Sequence, residues 1–112
     1  MGNIDNSIKT ALQGAYLRSD NFIEGLTCTW QGMVVADAEN PKFGAQKEMF
    51  GLRIGQQWQI AFLLNGEGKV LNTTSVRLVG KLVKLDPDEG DELFIKRIGE
   101  GFETDWEVRK VE

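Results

Sequence analysis

The sequence predicts a mainly β domain, a five-stranded Greek-key barrel with one helix between its third and fourth strands. Three observations lead there. Short runs of alternating apolar and polar residues recur along the chain, separated by turns rich in Gly, Asn and Asp. One run, Thr73 to Leu85, instead has apolar residues at helical spacing. Two further strand-like runs follow it and close the chain.

Residues 1–14 read as an N-terminal arm or a short helix, with Ile4, Ile8 and Leu12 four apart and Asn3 or Asp5 as a cap. The first strand is Leu26 to Asp37: Leu26, Cys28 and Trp30 share one face and Thr27, Thr29 and Gln31 the other. Gly32 interrupts that alternation, as at a bulge or barrel corner, so this strand is expected to be bent and to serve both halves of the barrel. Ala38 to Gly44 is a loop. Gln46 to Ile54 reads as the second strand and Gln57 to Leu64 as the third, with Trp58, Ile60, Phe62 and Leu64 on one side. Lys69 to Leu71 extends the sheet briefly after an Asn-Gly turn. Thr73, Thr74 and Ser75 are N-cap residues for a helix carrying Val76, Val79, Leu82 and Val83 on one face, although Val79, Lys81 and Val83 would also suit a strand. The Asp86-Pro87-Asp88-Glu89-Gly90-Asp91 turn leads to a fourth strand, Glu92 to Ile98, and Thr104 to Val111 is the fifth. Five strands in this order, with the helix after the third, is the arrangement of the OB-fold, and the 112 residues read as one such domain.

Composition narrows the chemistry. The chain has no histidine and one cysteine, which removes the commonest general base and any thiolate or imidazole zinc site within one chain. The carboxylates of residues 86–92 do not follow the spacing of a calcium loop and read as a solvated turn. Nothing has the pattern of a nucleophilic triad or a phosphate cradle, so neither enzyme activity, a metal nor a cofactor is expected. No apolar run is long enough to span a membrane, which predicts a cytoplasmic protein without membrane partners.

The net charge is -4, but it is unevenly distributed. Residues 1–41 carry a net of -3, residues 42–84 a net of +5 and residues 85–112 a net of -6. The basic middle segment is interleaved with aromatic rings, the combination that holds single-stranded nucleic acid by base stacking and phosphate contacts. Phe50, Ile60, Phe62 and Trp106 lie in register with aliphatic neighbours and are expected in the core. Phe43 lies in a loop between Lys42 and Lys47, and Phe94 lies opposite the Leu93 and Ile95 face, so both are expected outside. Trp58 begins its strand beside glutamines, a half-exposed place, and Trp30 is open between faces because of the bulge. The expected nucleic-acid contacts are therefore phosphate tracking by Lys42, Lys47, Arg53, Lys69, Lys96 and Arg97, and stacking on Phe43, Trp58, Phe94 and Trp30.

Tyr16-Leu17, the Val70 to Thr73 run before the helix and the Gly90 to Gly101 hairpin, within a stretch spanning about residues 15–111, together resemble small phage and prophage OB-fold proteins of the single-stranded-DNA-binding type. The resemblance implies single-stranded DNA as partner and a role in phage DNA metabolism, replication or recombination, in the host-cell cytoplasm. Other replication or recombination proteins would be further partners, and a homo-oligomer would lengthen the binding groove. The chain stops at Val111-Glu112 without the acidic-tipped tail of the bacterial single-stranded-DNA-binding protein, so recruitment through such a tail is not expected. The alternative reading is a protein-interaction or structural barrel that binds no nucleic acid.

Overall fold

The computed structural model describes residues 16–111, the Phe102 side chain excepted. The expected N-terminal helix lies outside the described residues. Six strands form one curled sheet: β1 (Tyr16–Leu17), β2 (Leu26–Asp37), β3 (Gln56–Leu64), β4 (Glu67–Thr73), β5 (Glu92–Ile98) and β6 (Asp105–Lys110). Among the described residues one α-helix, α1 (Val76–Leu85), joins β4 to β5. The strand order is β1-β4-β3-β2-β5-β6, with β1 parallel to β4 and every other pair antiparallel.

The bend at Gly32 shapes the sheet. The register of β2 against β3 slips between Trp30 and Gly32, and Gly32 has φ of 141°. A bulge of this kind raises the local twist and bends the strand. The first part of β2, Leu26 to Thr29, pairs with β5, and Thr29 to Asp37 pairs with β3. One long strand therefore belongs to both halves of the sheet, as its sequence predicts. The main core fills the concave side, with Cys28 and Trp30 from β2, Ile60 and Phe62 from β3, Leu71 from β4, Leu93 and Ile95 from β5, and Trp106 from β6. Phe22, on the turn after β1, completes it edge-on to Trp106, with ring centroids 5.9 Å apart.

α1 closes one end of this core with Leu78 and Leu82. Ser75 caps it, its hydroxyl accepting the Leu78 N–H at 3.2 Å, and Asp86 ends it in the left-handed conformation. The cap and the two buried leucines decide in favour of helix where the alternation of Val79, Lys81 and Val83 alone does not.

Three expectations are corrected. Gln46 to Ile54 is no strand but part of a loop over residues 38–55, with only an isolated bridge between Met49 and Leu52. The missing strand is supplied by β4, where the sequence suggests only a brief extension at Lys69 to Leu71; β4 pairs with β3 along its whole length. Counting β1, the helix then follows the fourth strand rather than the third, and the sheet has six strands rather than five. β1 and β6 stand at the two ends of the hydrogen-bonded order, so the sheet is curled and open, with α1 packed against β6.

Candidate nucleic-acid interface

The loop between β2 and β3 is where the structure gathers exposed rings and cations. Backbone bonds tie its base to the sheet: Ala38 N–H donates to the Gly55 carbonyl at 2.9 Å, and Ala45 N–H to the Gln56 carbonyl at 2.8 Å. The Asn40 side chain caps the Pro41–Phe43 turn by accepting the Lys42 N–H at 3.0 Å. Gly44 passes so close to Gly55 that a β-carbon there would lie 2.4 Å from the Gly55 carbonyl carbon, so only glycine fits. Leu52, 2% exposed, anchors the loop in a second small core with Ala45, Trp58 and Val79 of α1. This anchoring holds the loop in place while its other side chains face solvent.

Among those outward groups are Lys42, Phe43, Lys47, Phe50 and Arg53, with Glu39, Glu48 and Ile54 also exposed. Phe43 is 74% exposed and Phe50 is 78% exposed. Phe50 stands at the tip of a tight turn in which Met49 and Leu52 exchange both backbone hydrogen bonds, at 3.1 and 2.8 Å. With φ of 45° at Phe50 and 89° at Gly51 this has the signature of a type I′ turn. That turn ordinarily places Asn, Asp or Gly where Phe50 stands, and a bulky residue in a left-handed conformation is strained by about 1–2 kcal/mol. Strain of this kind concentrates at functional sites. Among the described residues, Lys42, Lys47 and Arg53 have no ion-pair partner.

The convex face of the sheet next to the loop is small and uncharged. Register places Gln59, Ala61 and Leu63 of β3 beside Val34, Gly32 and Thr29 of β2 on one side, and beside Asn72, Val70 and Gly68 of β4 on the other. At the bulge, Gln31, Gly32, Val34, Gln59, Ala61 and Val70 frame a shallow depression of about 210 Å³.

The sequence-predicted site residues divide between this loop and other places. Lys42, Phe43, Lys47 and Arg53 are brought together on it, all exposed. Trp58 is not half exposed: at 5% it lies in the core beside Leu52. Trp30 is 8% exposed, edge-on to Phe62 at 6.0 Å, because the register slip comes just after it rather than before. Lys69 pairs with Glu67 at 3.5 Å near the far end of β3.

The β5 residues form a separate group. Phe94 is on the convex face, half-buried, with the Arg109 guanidinium carbon 4.6 Å from its ring centroid. Lys96 is exposed and stands opposite Glu107 of β6. Arg97 turns the other way and is held by Asp20 at 2.8 Å and Ser19 at 3.0 Å. Phe94 pairs with Thr27, at the opposite end of β2 from the loop, which begins after Asp37. About 30 Å of strand separates those positions, so the two groups cannot hold the same base.

Sequence reasoning misses Phe50. Its alternation with Leu52 and Ile54 suggests a buried strand face, whereas Phe50 and Ile54 are 78% and 70% exposed and only Leu52 is buried. The signal available was Phe50-Gly51 itself, a glycine at the second position of a tight turn.

Comparison of the chain with family models, with curated proteins and with solved structures finds no match.

Proposed function

We propose that this protein binds single-stranded nucleic acid, DNA in the first instance, through the loop 38–55 and the uncharged convex face beside it. The observation that carries the reading is the loop itself, where two rings, each more than 70% exposed, share the loop with three cations that have no ion-pair partner among the described residues. Bases would stack on Phe43 and Phe50 while Lys42, Lys47 and Arg53 meet phosphates, a mode that tolerates any sequence because every base has a π-face.

The topology supports the same reading. Leaving β1 aside, the order β4-β3-β2-β5-β6 with α1 between β4 and β5 has the character of an OB-fold. In that fold oligonucleotides lie on the face of the second and third strands and on the loops after the first and fourth. Here these are β3, β4, the loop 38–55 and residues 99–104. Phe94 and Lys96 would serve as an outlying contact. A role in phage DNA replication or recombination goes with the sequence resemblance.

The test is an anisotropy titration with oligo-dT of about thirty nucleotides, beside duplex DNA and RNA controls. Three phosphate contacts predict about a fortyfold loss of affinity between about 50 and 300 mM salt. Phe43→Ala and Phe50→Ala should each weaken binding about tenfold, since a stacked base contributes about 1–3 kcal/mol. Absence of binding at low salt, or equal affinity for duplex, would overturn the reading.

A further inference from the structure

A second surface lies on the other side of Phe50. A groove of about 380 Å³ runs between the loop 38–55 and α1. Val76, Val79, Gly80 and Val83 of α1 form one wall, Phe50 stands across from them, and the edge of Trp58 lies between. Every lining side chain is apolar.

Two features show that the fold does not need this groove open. A glycine inside a helix is less favourable than alanine. A β-carbon on Gly80 would meet no atom within 4 Å, so no neighbour requires glycine there. What Gly80 provides is space in the groove. Val83, on the same stripe, is left 64% exposed.

Charge then selects the occupant. The loop 38–55 carries Lys42, Lys47 and Arg53 against Glu39 and Glu48, and α1 carries Arg77, Lys81 and Lys84 with no carboxylate. The two elements that wall the groove are net +4 in a chain of net -4. Lys81 is held by Asp105 at 2.8 Å and Arg77 donates to the Thr104 carbonyl at 2.8 Å. Lys84, Lys47 and Arg53 are exposed and without an ion-pair partner among the described residues.

We propose that this groove docks a short acidic, amphipathic helical segment of a partner protein. Its apolar side chains, one helical turn apart, would seat against Val76, Gly80 and Val83, and its carboxylates would meet Lys84, Lys47 and Arg53. The groove shares Phe50, Lys47 and Arg53 with the nucleic-acid reading, and Gly80, Val83 and Lys84, which lie outside it, are where the two readings are told apart.

The test uses a fluorescein-labelled peptide of about fourteen residues, rich in Glu and Asp with Leu and Phe at i and i+4, against the full chain. A control peptide has every carboxylate replaced by lysine. The acidic peptide should bind in the micromolar range and the lysine peptide should not. Gly80→Leu fills the groove while replacing a poor helix former, so it should stay folded in a thermal melt and weaken the peptide by about tenfold or more. Lys84→Glu should weaken it by about threefold. No binding to the folded wild type, equal binding of the lysine peptide, or unchanged affinity in Gly80→Leu would each overturn the proposal. A wild-type dimer that Gly80→Leu dissociates would give the groove to a second copy instead, and loss of oligo-dT binding in Gly80→Leu would give it to nucleic acid. Peptide binding without oligo-dT binding would sink the nucleic-acid reading and leave this one standing.

Discussion

A methyl group on Gly25 would lie 2.3 Å from Cζ of Phe94, because the Phe94 ring rests against the Gly25 backbone. Arg109 covers the same ring at 4.6 Å. Phe94 is thus partly committed to the fold, unlike Phe43 and Phe50. Phe94→Ala should cost about 1–3 kcal/mol of stability through lost apolar burial, with less than about a threefold loss of oligo-dT affinity. Gly25→Ala, at φ of 91°, should destabilise by about 1–3 kcal/mol. Urea unfolding followed by tryptophan fluorescence reads both. A Phe94→Ala variant as stable as wild type but unable to bind would make this ring a stacking platform instead.

Asp105 accepts two bonds through one oxygen, from Lys81 Nζ and from the Trp106 N–H, each at 2.8 Å. The Lys81 bond first, and then the backbone bond, hold its carboxyl below the ordinary range. Lys81 also donates to the Trp106 carbonyl, joining α1 to β6. Because the folded-state value is depressed, the stabilising contribution is complete above the unfolded value of about 4 and is lost as pH falls through the folded value. Asp105→Asn should therefore unfold at lower urea than wild type at neutral pH, and the gap should close in acid. A gap that stays constant down to pH about 2 would show that the carboxylate charge is not what matters.

Burial pushes the Cys28 thiol up to about 12. The thiolate is the reactive form, so at pH about 8 the native protein should react with a thiol reagent about a thousandfold more slowly than an unhindered cysteine. In urea the rate should return to the ordinary one. Rapid native labelling would mean that β2 opens readily from β5, exposing the site where Cys28 pairs with Leu93.

The parts of the fold legible in sequence are those where one signal decides. Register with aliphatic neighbours places Ile60, Phe62 and Trp106 inside, and all three are. Gly32 marks the bulge, and Ser75 followed by Val76, Val79 and Leu82 points to the helix, although Val79, Lys81 and Val83 leave a strand open until the Ser75 cap and the burial of Leu78 and Leu82 decide it. Gln46 to Ile54 was illegible because the same alternation there arises from different causes. Leu52 is buried by tertiary contact with α1, while Phe50 and Ile54 fall on its parity by turn geometry alone. Four of the five loop groups were readable, Lys42 and Phe43 from their place in a Pro-containing loop and Lys47 and Arg53 from charge. Trp58 was misplaced because its neighbours Gln57 and Gln59 suggested solvent, whereas Gln57 is itself 8% exposed.

Phe50 offers a test in which stability and binding should move in opposite directions. Its turn closes on Gly51, so Phe50→Asn would create the Asn-Gly pair that a type I′ turn prefers. Asparagine enters the left-handed region with little cost, and the exposed ring buries almost nothing that would be lost. The variant should be more stable than wild type by about 0.5–1 kcal/mol, the usual gain when a strained turn residue is replaced. Its oligo-dT affinity should fall about tenfold, because a stacking ring has gone while every cation remains. Nucleic-acid controls at two salt concentrations should show the same salt slope as wild type, since no phosphate contact is removed. If the variant instead loses stability, Phe50 is a packing residue of the apolar groove. If it gains stability with no change in oligo-dT affinity, the strain at residue 50 serves something other than nucleic acid, and the peptide titration then decides whether it serves the groove.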